Sequence, residues 1–212
     1  MCLGAVFASI FGSRMIRLHR VIGGATIRIL AIMFIGAGVF LHGAQAQAIE
    51  MGELQAAIVM RALSYDDALK GRVGEQVVVG MALPVSNPAS CDDLRQGFSR
   101  VASLKVQGLG VRLVELPTTS VGALEEAIKT TSADVVVLCS TVMLDLATVL
   151  DVTRRLKVAS VAMNQDWVRA GVSLGVGEHD NGKAKLFVNV ASSQAEGMTL
   201  RPELLRVAVI IK

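Results

Sequence analysis

Charge is scarce in this sequence, and cysteine and histidine are scarcer still. Charged residues make up 18% of the 212, against 52% hydrophobic ones. That balance excludes a disordered chain, which has too few apolar groups to offset the entropy of ordering. Past residue 48 there are two cysteines, Cys91 and Cys139, and one histidine, His179. No Cys-x-x-Cys spacing occurs, so a metal centre of ordinary ligand pattern is not expected. An excess of basic charge is missing from the body as well. Of the 21 Lys and Arg, four lie in the first 48 residues, which hold no acid, leaving 17 basic against 18 acidic residues in the rest. A near-neutral body lacks the electrostatic footprint of a nucleic-acid binder, and no nucleic-acid partner is expected.

What the first 48 residues contain is ordered. Arg14, Arg17, Arg20 and Arg28 come first, then the 13-residue run ILAIMFIGAGVFL from Ile29 to Leu41, then HGAQAQA. Basic, apolar and small-residue segments in that order fit a secretory signal, with Ala-x-Ala cleavage after Ala46 or Ala48. An uncleaved anchor is the alternative, but 13 apolar residues fall short of the roughly 20 that span a bilayer. Residues 1–48 are expected to be a signal peptide and residues 49–212 a single exported, periplasmic domain. In an oxidising compartment the pair Cys91 and Cys139 suggests one disulfide, two buried or free thiols being the other reading.

The body has no low-complexity linker and no internal repeat. In GELQAAIVMRALSYDDAL, Leu54, Ile58 and Ala62 fall four apart on one side of an opening helix. EQVVVGMAL, LGVRLVELP, ADVVVLCS and VASVAMN are apolar runs of strand length. Between them lie a helix capped by Ser90 with Leu94, Phe98 and Val101 inward, the helix VGALEEAIKTT, and LDLATVLDVTRRLK with Leu146, Val149, Leu150 and Thr153 inward. Strands alternating with helices predict a parallel sheet covered on both faces. GVSLGV and KAKLFVNV flank Asp180-Asn181-Gly182, a hairpin signal, with Val172, Leu174 and Val176 sharing a face with Leu186, Val188 and Val190. A helix from Pro202 to about Ile211 is expected to close the domain. The fold class expected is a three-layer, Rossmann-like α/β sandwich, mostly parallel, with a C-terminal antiparallel hairpin and closing helix.

In LFVNVASSQAEGMTLRPELLRVAVII, Asn189 ends a strand, Gly197 follows a connecting helix, and Leu204, Leu205 and Ala208 lie in the closing helix. This phrase resembles the end of the YfiR-like family of periplasmic proteins. VASVAMNQDWVRAGVSLGV, and AAIVMRALSYDDAL followed by VVVGMAL, resemble the same family, so the likeness covers nearly the whole body. Ala170-Gly171 stands where the family often has Gly-Gly, and the family's paired cysteines are not matched position by position. The resemblance implies a non-enzymatic regulator, dimeric, that restrains an inner-membrane diguanylate cyclase and so acts on cyclic-di-GMP signalling and biofilm formation.

A parallel α/β sheet presents ligands at the carboxyl ends of its strands. Those ends carry Ser86, Asn87, Ser90, Thr118, Ser140, Asn164 and the single tryptophan, Trp167, a rim suited to a small polar ligand. Helix caps and turns use the same residue types, and that bland role is weighed beside it. With a strand order of 2-1-3-4, Cys91 and Cys139 fall at one edge, and a bridge over the 47 residues between them would contribute roughly 3–4 kcal/mol. No catalytic set is expected. Ser140 lacks a Gly-x-Ser-x-Gly setting, and Glu178, His179 and Asp180 fall on a solvated hairpin tip. The glycines of GRVG, GLG and GVG lack the strand-turn-helix setting of a phosphate loop. Arg154, Arg155 and Lys157 complement a helix C-terminus. No cofactor is expected. The alternative to regulation is a periplasmic solute-binding component of a transport system.

Overall fold

Val77, Val78 and Val79 begin a run whose branched side chains suit a pleated ribbon packed on both sides. In the computed structural model, residues 51–84, 91–139, 144–178 and 183–212 are described. A helix α1 covers residues 51–63. It is followed by α2 (Leu69–Arg72), β1 (Gln76–Ala82), α3 (Asp92–Val101), β2 (Gly110–Leu116), α4 (Val121–Thr131), β3 (Val135–Leu138) and α5 (Leu146–Leu156). Then come β4 (Ala159–Ala162), α6 (Gln165–Arg169), β5 (Leu174–Glu178), β6 (Ala184–Asn189), α7 (Val190–Ala195), α8 (Pro202–Val207) and β7 (Val209–Ile211). These strands form one sheet in the order β2-β1-β3-β4-β5-β6-β7. β1 to β5 are parallel; β6 pairs antiparallel with β5, and β7 parallel with β6.

Alternate strand residues face different layers. Val77, Val79 and Met81 of β1 join Phe98 of α3 and Val59 and Leu63 of α1 in one core. Val78 and Ala82 join Leu124 and Ile128 of α4 and Leu150 of α5 in the other. The result is the mostly parallel, three-layer α/β sandwich of Rossmann-like type that the alternation of strands and helices predicts. The four described strands of the first half lie in the expected 2-1-3-4 order. The described residues belong to one unit, Gln47–Lys212, and no helix among them is long and apolar enough to cross a membrane.

α1 and α3 approach closely because each presents a glycine. A Cβ on Gly97 would run into the backbone of Gly52, and one on Gly52 into the backbone of Asp93. Gly97→Ala is therefore expected to force the helices apart and lower stability by about 1–3 kcal/mol. Thermal unfolding followed by circular dichroism checks this, and an unshifted midpoint would count against the crossing.

Four sequence expectations need correction. The opening helix ends at residue 63, because Asp66 turns the chain: its buried Oδ1 accepts from the N–H groups of Ala68 (3.0 Å) and Thr199 (2.7 Å), and its Oδ2 pairs with Arg72. The Asp67 N–H donates to Thr199 O, and the Arg201 N–H to Tyr65 O, so this turn clasps the end of α1 to the segment before α8. The buried side of α1 carries Ala56, Val59, Met60, Ala62 and Leu63, with Ile58 packed against it, while Leu54 is 48% exposed. Val172 packs in the α4–α5 core, opposite Leu174 and Val176, because β5 starts only at Leu174. The closing helix stops at Val207, where Val209–Ile211 becomes β7 against β6.

In the hairpin Leu174 lies opposite Val188 and Val176 opposite Leu186, and these four share the expected buried face. Its Asp180-Asn181-Gly182 turn lies outside the described residues, as does Ser90. The cap position of α3 is Cys91, which makes no side-chain capping bond.

Candidate functional site

β1 leads through α3 to β2 on one side, and the chain then crosses β1 to place β3 on the other. The strand order thus reverses between β1 and β3, and an open α/β sheet forms its ligand crevice outside the carboxyl ends at such a point. Here Cys91, at the start of α3, is bonded to Cys139, just past β3. Their Cα atoms are 6.2 Å apart and both residues are buried. The bridge joins the two elements that flank the switch point.

Of the rim residues singled out in the sequence, Ser86, Asn87, Ser90 and Ser140 lie outside the described residues. The other three have partners within the fold. The buried Thr118 hydroxyl donates to Leu83 O, tying the end of β2 to the end of β1. Asn164 Oδ1 accepts from the Trp167 N–H at 2.8 Å and caps α6. Trp167 packs, partly buried, against the α4–α5 core. Thr118, Asn164 and Trp167 accordingly do what threonine, asparagine and tryptophan do in turns, caps and cores.

The sheet's opposite end holds a feature the sequence reading did not assemble. A cleft of about 360 Å³ opens beside the amino ends of β3 and β4. Ile128, Ala133, Leu156 and Val158 supply its apolar lining, and Arg72, Lys129, Ser132, Asp134 and Lys157 its polar lining. Asp134 accepts from the Val78 N–H at 2.8 Å; burial nevertheless pushes its carboxyl above the ordinary value. The cations come from α2, α4 and the turn after α5, elements distant in sequence, so no local pattern announces the cluster. Arg155, named with Lys157 in the sequence, instead makes a two-pronged pair with Glu125 (3.0 and 2.9 Å).

Glu196 is the other polar group that sequence reading missed. It is fully buried beneath α7. Oε2 accepts from the Ser160 N–H at 2.8 Å and from the Ser173 hydroxyl, and Oε1 lies 2.6 Å from the Thr153 hydroxyl oxygen. Thr153 has one hydroxyl proton but a second acceptor, Leu150 O, at 3.0 Å. That proton serves either Oε1 or Leu150 O, and a protonated carboxyl would let both contacts be satisfied at once. Burial acts the same way, raising the Glu196 pKa above its ordinary value against the lowering effect of the bonds from Ser173, Thr153 and Ser160. The arrangement is a buried structural bridge among α5, β4 and α7, with no access for a substrate.

A third feature is an apolar groove of about 450 Å³ between α1 and α8, lined by Ile58, Tyr65, Leu186, Leu204 and Val207 among others. Arg61 and Arg201 both stack on Tyr65, 5.2 and 4.8 Å from its ring centre. Among the described residues, no group of His, Cys, Asp and Glu is arranged to hold a metal.

No protein-family model and no curated protein matches this sequence. Solved structures do. One is the ABC domain in complex with L-Trp from Streptococcus pneumonia, with a TM-score of 0.50 and 13% identity over 76% of this chain and 60% of that one. Another is the ligand-free, open structure of CD0873, a substrate binding protein with adhesive properties from Clostridium difficile, with a TM-score of 0.50 and 15% identity over 69% of this chain and 58% of that one. This chain shares their α/β fold. It spans less than two thirds of the length of either.

Proposed function

We propose that this chain is a solute-binding protein of the space outside the cytoplasm, which holds a small polar ligand at the carboxyl edge of its parallel strands and acts without turnover. The observation that carries the reading is the reversal of strand order between β1 and β3, flanked by the Cys91–Cys139 bond. An open parallel sheet offers its binding crevice there, and a disulfide fits an oxidising compartment, as does the signal-like order of residues 1–48. Of the two proteins that share this fold, one is in complex with L-Trp and the other is a substrate binding protein. That likeness is one of fold, so the reading leans on the switch point. Contact instead of turnover is supported by the want of a nucleophile with a histidine partner in the sequence.

Protein recovered from the envelope fraction is expected, by native mass spectrometry, to carry a small molecule of defined mass that leaves on unfolding. Bare protein, with no thermal shift across a panel of amino acids, sugars and short peptides, would reject the reading.

A second reading, the YfiR-type regulator that restrains an inner-membrane diguanylate cyclase, is favoured by the α1–α8 groove. Val207, which lines it, is 68% exposed, and apolar surface of this kind suits contact with a partner protein. Deleting the gene should then raise cyclic-di-GMP. An unchanged level in a strain that makes the protein would dispose of this second reading alone.

A further inference from the structure

We infer that the cleft beside the amino ends of β3 and β4 is a binding site for a small organic anion, one phosphate or carboxylate group carried on a compact apolar body. The inference does not rest on the proposed solute site, which lies at the opposite end of the same strands.

Charge and shape agree. Three cations, Arg72, Lys129 and Lys157, and the hydroxyl of Ser132 line about 360 Å³ of space, with Asp134 the only carboxylate among the lining residues. Ile128, Ala133, Leu156 and Val158 give the cleft an apolar surface for the remainder of the ligand. The cations retain donors. Lys129 spends one ammonium hydrogen on Glu125 (2.7 Å) and Lys157 one on Ala195 O (2.8 Å), leaving two apiece. Arg72 spends one hydrogen of one terminal nitrogen on Asp66 and one of the other on Lys157 O, keeping a second on each.

The backbone supplies an independent sign. α4 and α5 both end on residues in the left-handed region, Ser132 at φ 53° and Lys157 at φ 58°. Glycine is the usual occupant of that position because a Cβ is disfavoured there. In two successive helix-to-strand turns the fold instead keeps a side chain, and both side chains line the same cleft. Attraction of cations to a helix C-terminus accounts for a lysine in the last turn. It does not account for a serine at the matching place, nor for retaining Cβ atoms against the backbone preference. Strain kept at two neighbouring positions that meet in one cavity is the pattern of a site held for binding.

Lys157→Gly separates a binding role from a structural one. It relaxes the left-handed residue as it removes one cation and the bond to Ala195 O, so the free protein should unfold at nearly the same temperature while its anion affinity falls about tenfold, the loss of roughly one charge-assisted hydrogen bond. The probes are phenyl phosphate and benzoate, with uncharged benzyl alcohol as control, titrated calorimetrically into the full exported protein and into Lys157→Gly and Lys129→Met. Binding of either anion by the wild type, weakened in both variants and absent for benzyl alcohol, is the expected result. Equal affinity in wild type and variants, equal binding of benzyl alcohol, or no binding of either anion would overturn the inference.

Discussion

Replacing both Cys91 and Cys139 by alanine is expected to remove about 4 kcal/mol of stability. The bond closes a loop with a sequence separation of 48, and a cross-link of that span restricts the unfolded chain by about this much in the chain-entropy model. For a domain of this size the unfolding midpoint should fall by about 8–16 °C. Both side chains are buried, so double replacement avoids leaving one unpaired thiol in the core. Treating the wild type with reductant should reproduce most of the loss. A fall of less than about 1 kcal/mol would mean that the β1–α3 and β3 ends are held by their sheet contacts alone. Because the bond flanks the switch point, the proposed solute affinity should weaken with it.

The second large effect concerns Glu196. Glu196→Ala strands the Ser160 N–H and the Ser173 hydroxyl in a buried pocket and opens a cavity, together expected to cost about 3–5 kcal/mol. Glu196→Gln should behave in the opposite manner. Its amide N–H donates to Thr153 and its carbonyl accepts from Ser160 and Ser173, so every bond survives. The pH dependence tests the protonation state. Burial raises the folded pKa above the ordinary value of 4.5, so the stability this group contributes is complete below about that pH and is lost as the pH climbs through the folded value. The glutamine variant lacks that decline. Its advantage over the wild type in urea unfolding should therefore grow as the pH rises above 4.5, and a constant difference would show that burial does not raise the pKa of Glu196 in the fold.

The parts of the fold legible in the sequence are those with strong local patterns. VGALEEAIKTT is α4 residue for residue, and the runs QVVVGMA and VVVL are strands buried on both faces. Misreadings fall where a distant partner decides. Val209–Ile211 continues the spacing of Leu204 and Ala208 but is drawn into the sheet by Phe187 to Asn189, and a strand of three residues has almost no pattern of its own. α1 carries apolar side chains on more than one side, so the face that meets β1 and α3 could not be told from the face that lines the groove. The polar sites were less legible still. Thr118, Asn164 and Trp167 have the composition of a rim and the contacts of turns, caps and core. Glu196 and the cluster of Arg72, Lys129 and Lys157 exist only once separate crossovers are stacked against one another.

The clasp built on Asp66 joins residues more than 130 positions apart, since the Thr199 N–H that it holds is 133 residues along the chain. A nascent polypeptide cannot complete that contact until the segment around Thr199 and Arg201 has left the ribosome, and contacts of such separation are slow to form afterwards. Until then α1 rests on β1 and α3 alone, and the fold is closed only when nearly all of the described residues are available to it.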